Sequence, residues 1–291
     1  MVHPVKYFVI GGRGYVGSAL YSSIPASVLG IATASAQSEG FIQLRLDAPG
    51  DLNNLKVDAG DVVFLTAAIS APDICAREHE RAWAVNVTGT ISLIEHVIAS
   101  GGRVIFFSSD TVYGEHAEKF DEATSCTPAG EYAVMKHAVE RHFEGNPLVK
   151  FVRLSYVFSA ADKFTKYLLS CAQKNETAEL FHPFYRAIIH RRDVVEGALA
   201  LARRWDEFPQ QIFNFGGPEV LSRVEFADCL KSGCLPKLMY RVLEPDAEFF
   251  RNRPKMISMK SEVLPLLLGR PSSTLVQAVY LEFPNDQKNR K

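Results

Sequence analysis

"VIGGRGYVGSAL", residues 9–20, sets four glycines, Gly11, Gly12, Gly14 and Gly17, into seven positions directly after an apolar run. The preceding "KYFVI" (6–10) reads as a short buried strand, and "VGSALYSSI" (16–24) spaces its apolar residues for a helix. The glycines therefore occupy a strand-to-helix turn. At such a turn Gly11 permits the tight bend, Gly14 lets the backbone approach a ligand, and Gly17 lets the helix pack closely on the strand. A helix opening there aims unpaired N–H groups and its positive end at the turn, which suits a pyrophosphate. Ordinary βα turns also use glycine, so the motif gains force only from what surrounds it.

What surrounds it is a run of further strands and helices. "VLGIA" (28–32), "FIQLRL" (41–46), "DVVFL" (61–65), "RVIFFSS" (103–109), "VKFVRLSYVF" (149–158) and "QIFNFGG" (211–217) all read as strands. They are continuously apolar rather than alternating, which argues for a parallel sheet covered on both faces. "HERAWAVNVTGTISLIEHVIAS" (79–100) and "EYAVMKHAVERHF" (131–143) read as helices between them. The expected fold is α/β: a Rossmann-type doubly wound parallel sheet with a smaller C-terminal substrate-binding lobe. Composition shifts place the dinucleotide-binding domain at 1–158 plus 193–217 and the lobe at 159–192 plus 218–285. Residues 286–291 form a polar tail.

At 291 residues, 47% hydrophobic and 22% charged, the chain reads as an ordinary globular protein. A formal charge of −1 gives no electrostatic case for nucleic acid or an anionic membrane. The five cysteines (75, 126, 171, 229 and 234) are scattered, odd in number and without metal-type spacing. They read as reduced thiols, no metal is expected, and no leader or membrane-length apolar run is visible. A cytoplasmic location is the expectation.

The chemistry gathers in two further stretches. "SSDTVYG" (108–114) puts hydroxyls at the end of the fifth strand, where a parallel sheet opens its ligand crevice. "YAVMK" (132–136) puts Tyr132 and Lys136 on one face of a helix. A phenol of ordinary pKa about 10 is a poor acid–base group at neutral pH, and an adjacent ammonium is expected to lower it. Such a pair can pass a proton to or from a carbinol oxygen during hydride transfer.

Taken together, "GGRGYVG", "NVTGT" (86–90), "SSDTVYG", "YAVMK" and "IIHRRDVVEGAL" (188–199) resemble the extended short-chain dehydrogenase/reductase, or NAD-dependent epimerase/dehydratase, family. Members mostly act on nucleotide sugars. "NFGGPEVLSRVEFA" (214–227) and "RPKMISMKSEVL" (253–264) look most like its dTDP-4-dehydrorhamnose reductase branch. The resemblance implies Tyr132 as acid–base residue, Lys136 as its partner on the nicotinamide ribose, and Ser109 as holder of the sugar oxygen. It places Gly11, Gly14 and Gly17 around the pyrophosphate, Arg13, Tyr15 and Val16 of the same turn at the cofactor, Asp47 at the adenine, and Thr66, Ala67 and Ala68 beside the nicotinamide. Ser70, Ser109, Asp110, Thr111, Tyr156 and Arg253 would surround the substrate.

Several of these residues have second readings. Asp47 could cap a turn, and Arg253 could make an exposed salt bridge instead of binding a diphosphate through its forked donors. Asn86 reads as bending or hydrating its helix, and His190 with Asp193 as a structural pair joining the lobes. Met135 replaces the family's usual serine before the lysine. "FSAADKF" (158–164) lacks its usual glycine–proline pair. The second strand ends in "GIATAS" (30–35) without a carboxylate for the ribose hydroxyls, and Arg13 could reach a 2′-phosphate; NADP is therefore expected over NAD.

The function implied is reduction of a keto group on a nucleotide-activated sugar. The alternatives are a sugar-nucleotide 4-epimerase and a cofactor-binding regulatory subunit, against which intact Ser109, Tyr132 and Lys136 speak. Sugar 4,6-dehydratases of this family carry an aspartate–glutamate pair after the hydroxyl residue. Here Thr111 follows Asp110, and threonine is no carboxylate base. The family often forms homodimers through helices matching Val85–Ile98 and Tyr132–His142.

Overall fold

The computed structural model describes residues 4–115 and 119–284, so the tail at 286–291 lies outside the described residues. The chain opens as β1 (Lys6–Ile10), the glycine turn and α1 (Tyr15–Ser22), followed by β2 (Leu29–Ala34), β3 (Ile42–Gln43) and β4 (Val62–Leu65). After α2 (Pro72–Arg77) come α3 (His79–Trp83), a π-helical turn (Ala84–Gly89), α4 (Thr90–Ala99), β5 (Arg103–Ser109), α5 (Glu131–His142) and β6 (Val149–Leu154). These strands and a later one, β11 (Ile212–Phe215), form one seven-stranded sheet of order β11-β6-β5-β4-β1-β2-β3, parallel throughout. The order reverses between β1 and β4, the switch point at which such sheets bind their ligands.

Both faces of the sheet are covered, which is why its strands are apolar on both sides. Leu20 of α1 packs with Tyr7, Phe64 and Phe107 on one face; Leu93, Ile94 and Val97 of α4 pack with Phe8, Val63 and Phe106 on the other. The continuous helical run His79–Ala99 is apolar and long enough to cross a membrane, yet this packing makes it a core helix.

The rest of the chain supplies β7 (Val157–Phe158), α6 (Lys163–Lys174), β8 (Thr177–Phe181), β9 (Tyr185–Ala187) and β10 (Ile189–His190). Next come α7 (Arg191–Arg203), β11 (Ile212–Phe215), β12 (Val220–Ser222) and α8 (Arg223–Gly233). The chain closes with β13 (Met239–Leu243), α9 (Ala247–Arg251), α10 (Leu264–Leu268) and α11 (Leu275–Glu282). Three small two-stranded sheets, β7 with β10, β9 with β12 and β8 with β13, carry the smaller lobe. Its core is formed by Phe158, Leu168, Leu180, Phe226 and Leu230. Leu264 and Leu267 of α10 instead join the core of the large sheet.

Two strands differ from the sequence reading. The run 41–46 is paired only at Ile42–Gln43: Asp51 accepts from the Arg45 amide (2.9 Å) and pulls the chain into a turn. The run 149–158 breaks at Ser155 and Tyr156, where side chains turn to Asp110 and Asp162, and Val157–Phe158 then pairs with β10. His190 and Asp193 do not pair with each other. His190 Nε2 meets Glu282 Oε1 at 2.8 Å, while Asp193 accepts from Arg270 Nη2 (2.7 Å) and the Ser273 amide (2.6 Å), so each ties α7 to the C-terminal segment separately.

Candidate active site

The glycine turn has the shape its residues require. Gly11 has φ +89°, the left-handed region that favours glycine. A Cβ on Gly17 would stand 2.2 Å from the Gly11 carbonyl and 2.7 Å from Thr66 Oγ1, so only glycine lets α1 sit this close to the strand ends. Gly14 is the N-cap of α1 and offers no side chain to satisfy the first-turn N–H groups. Those donors, with no acidic residue in the first turn, are a cradle that fits a pyrophosphate.

The flanking residues divide by what they already bind. Arg13 is exposed beside the turn. Tyr15 turns away, its hydroxyl meeting Ser159 Oγ at 2.8 Å and donating to the Val157 carbonyl at 3.3 Å, so its side chain is committed to the smaller lobe. Val16 packs against the sheet core. Thr66 donates its hydroxyl to the Ile10 carbonyl (2.8 Å), and the Thr66 and Ala67 amides converge on the same oxygen. Ala67 lies against Gly11, Ala68 is half-buried, and Ser70 is exposed on the loop beyond. Asp47 is exposed, four residues past the end of β3, not at a strand end as expected.

That loop is fixed by Asn86. Its side chain accepts from the Ile69 amide (2.8 Å) and donates to the Ile69 carbonyl (2.9 Å) from within the π-helical turn. Thr90 Oγ1 donates back to the Val85 carbonyl five residues earlier (3.0 Å), and Gly89 lets the helix touch the Leu46 carbonyl. Asn86 thus positions the loop after β4.

At the end of β5, Ser109 Oγ accepts from the Thr111 amide (3.2 Å) and the Thr111 hydroxyl (2.9 Å). Both lone pairs are then engaged, and its one proton points weakly at Asp110 Oδ1, 3.3 Å away. Asp110 is buried and accepts from Ser155 Oγ at 2.7 Å. Among the described residues it has no ion-pair partner, and burial raises its pKa above the ordinary carboxylate range against the opposing charge of Arg186.

Tyr132 and Lys136 lie in the first half of α5, which packs against the Asp110–Tyr113 turn. The tuning differs from expectation. Burial pushes the Tyr132 phenol well above its usual pKa, and the charges of Cys75 and Asp110 push the same way. Lys136 Nζ donates to the Phe107 carbonyl (2.8 Å), lies 4.4 Å from the Phe106 ring centroid, and stands farther from the Tyr132 ring at 5.8 Å. Burial pulls its pKa down to about 7, against Glu140 and Cys75. In this arrangement desolvation of the phenol outweighs the neighbouring ammonium.

Beyond Asp110 lies a cavity lined by Tyr156, Phe164, Phe184, Arg186, Arg223 and Phe226, among others. The Tyr156 hydroxyl is spent on Asp162 Oδ1 (2.6 Å), which itself caps α6; this turn replaces the missing glycine–proline pair. Arg186 and Arg223 escaped the sequence reading. Arg186 is buried, donates to the Tyr185 and Pro254 carbonyls (2.6 and 2.9 Å), and lies over Phe184. Burial lowers its pKa to about 10, with Asp110 opposing and Arg223 adding. Arg223 lies over Phe164 and Phe184 at the first position of α8. A cation at a helix N-terminus opposes the macrodipole, and an arginine inside the apolar "YRAII" is costly; both were available signals. Arg253 makes the salt bridge of its second reading, with Asp73 at 2.6 Å.

Residues 7–216 match the NAD dependent epimerase/dehydratase family. The chain is 27% identical to a UDP-glucose 4-epimerase of Streptomyces lividans, over 48% of this chain and 47% of that protein. It is 25% identical to the dTDP-4-dehydrorhamnose reductase of Salmonella typhimurium (63% of this chain, 62% of that protein). The methionine adenosyltransferase 2 subunit beta of Mus musculus is 22% identical over 98% of this chain and 90% of that protein. The match thus spans about half of the first of these relatives. Among solved structures, a UDP-glucuronic acid 4-epimerase from Bacillus cereus, in complex with NAD, superimposes with a TM-score of 0.82 at 18% identity, covering 98% of this chain and 100% of that one. A dTDP-4-dehydrorhamnose reductase from Bacillus anthracis, in complex with NADP, gives 0.81 at 16% identity, covering 98% and 99%. With its glycine turn, switch-point crevice and Tyr–Lys helix all inside the matched segment, the chain belongs to the NAD-dependent epimerase/dehydratase family.

Proposed function

We propose that this protein reduces a keto group on a nucleotide-activated sugar, and that NADPH is its reductant. The observation that carries this reading is the desolvated Tyr132 phenol, packed with Cys75 and Met135 on the helix that lies against the Asp110–Tyr113 turn. Burial keeps the phenol protonated, so the resting site holds a proton donor. A donor beside a carbonyl is what reduction needs; a first oxidative step, as in an epimerase, needs the phenolate.

The residues divide the work. The α1 N-terminus would hold the dinucleotide pyrophosphate, and Lys136 its ribose. When bound, the dihydronicotinamide supplies a hydride to the carbonyl carbon. Ser109, its lone pairs occupied by Thr111, can turn its single proton from Asp110 to the carbonyl oxygen. Tyr132 delivers the proton to that oxygen as charge develops there. Arg186 and Arg223 would take the substrate diphosphate through charge-assisted hydrogen bonds. Names of the reductase and epimerase relatives support the substrate class.

Incubation with 4-keto sugar nucleotides and reduced cofactor is the direct test. Cofactor oxidation in proportion to keto sugar is expected; interconversion of sugars without net redox would establish the epimerase instead. Loss of water from a hexose nucleotide, read by mass spectrometry, is not expected, since Thr111 stands where a carboxylate base would be needed. Calorimetry should find NADPH bound more tightly than NADH. Arg13→Ala should weaken NADPH about tenfold, the loss of one charge-assisted hydrogen bond, and leave NADH unchanged.

A further inference from the structure

The segment from Asp246 through α9 to Lys255 crosses from the smaller lobe to the large sheet and is fastened on both sides. Toward the lobe, the Phe249 ring packs edge-on against Phe181 and Phe184, with centroids 4.8 and 5.8 Å away. The Pro254 carbonyl accepts from Arg186 Nη2 (2.9 Å), and the Lys255 carbonyl accepts from the Tyr185 amide (2.8 Å). Toward the sheet, the Lys255 amide donates to Glu115 Oε2 at 3.1 Å. The backbone of Asn252 lies so close to Gly130 that a Cβ there would stand 2.8 Å from the Asn252 Cα. Gly130 is the N-cap of α5, two residues before Tyr132, so this strap borders the entrance to the reacting groups.

The last fastening is ionic. Arg253 Nη2 donates to Asp73 Oδ2 at 2.6 Å, from the strap to α2 in the chain leaving β4. Its other terminal nitrogen donates to the Phe249 carbonyl (3.3 Å), and the guanidinium lies over the Phe249 ring. Arg186 reaches the residue after Arg253 through the Pro254 carbonyl and shares the Phe184 ring with Arg223, so three arginines gather on this side of the cleft. Asp73 is the carboxylate that occupies Arg253. The Asp73 side chain is 65% exposed against 18% for Arg253, and an ion pair so open to water is weak. The diphosphate of a sugar nucleotide carries two negative charges and offers the guanidinium a fork of oxygens.

We propose that Asp73 is a specificity-determining counter-ion: it holds Arg253 across the mouth of the cleft until a substrate diphosphate takes its place. The inference rests on the nucleotide-sugar reading. Its consequence is that a ligand without a multiply charged phosphate leaves the strap latched, whereas a nucleoside diphosphate exchanges one partner of Arg253 for another. Asp73 therefore costs affinity for the nucleotide and contributes selectivity.

Calorimetric titration of the NADPH-loaded protein with UDP and with dTDP tests this. Asp73→Asn should bind the preferred diphosphate about two- to fivefold more tightly, the scale of an exposed ion pair. Arg253→Gln should weaken it about tenfold or more. In the Arg253→Gln background, Asp73→Asn should change nothing, because there is no guanidinium left to release. Unchanged or weaker binding in Asp73→Asn overturns the latch. So does an equal gain in the Arg253→Gln background, which would make Asp73 a general repulsive charge. If neither nucleotide binds the wild type or Asp73→Asn, the nucleotide-sugar reading itself falls; binding to the wild type without the coupling fells only the latch.

Discussion

Replacing Tyr132 by phenylalanine is expected to lower turnover about 10²–10⁴-fold, the usual contribution of a proton-transfer group, while fold and cofactor binding stay nearly intact. That loss corresponds to roughly 3–5 kcal/mol of barrier. The argument is local. The substitution removes one oxygen, and no hydrogen bond to that oxygen holds the fold together among the described residues. The ring remains to pack beside Met135 and Cys75. Steady-state rates, a thermal melt and a cofactor titration on the same preparation separate the outcomes. A variant keeping more than about a tenth of wild-type turnover would remove Tyr132 from the chemistry. Ser109→Ala should lower turnover with cofactor affinity unchanged, because among the described residues the Ser109 side chain bonds only Thr111 and Asp110.

Why these residues could be read from sequence at all follows from the range of the interactions involved. The glycine turn is fixed within seven residues: Gly17 is needed because Gly11 is directly beneath it. Tyr132 and Lys136 share a helix face by periodicity alone. Such features are written locally. What escaped the reading depends on partners far away in the chain. Strand β3 is cut short by Asp51, and β6 stops at Leu154, before Ser155, whose hydroxyl Asp110 accepts from 45 residues away. Arg186 becomes part of the site only when β9 folds against the Asp110 turn and the strap. The tuning of Tyr132 was misread for the same reason. An i, i+4 spacing brings the lysine near, but burial is a property of the whole fold and it dominates the phenol.

Lys136 shows how far the fold pays for its chemistry, and its removal is the second large effect expected. Lys136→Met should lose activity and cofactor affinity together, since the ammonium that serves the ribose also belongs to the proton-transfer site. Stability should respond with a definite sign. In the folded chain the buried Lys136 has its pKa pulled down to about 7, while the unfolded chain keeps it near the ordinary lysine value of 10.5. Below about 7 the ammonium is charged in both states and the cost of burying it is at its greatest. Between about 7 and 10.5 the folded chain releases the proton and the unfolded chain retains it. The unfolded state then binds more protons, so stability conferred through this group rises with pH across that window. Methionine carries no such dependence. The melting temperature of the wild type minus that of Lys136→Met should therefore increase from pH 6.5 to about pH 9.5, a window set by the two pKa values, with the cofactor absent. A difference that stays flat across the window would mean that Lys136 keeps its proton in the folded chain, held by the Phe107 carbonyl and the Phe106 ring. In that case the ammonium is a fixed charge, and its loss would depress turnover without altering the pH dependence of stability.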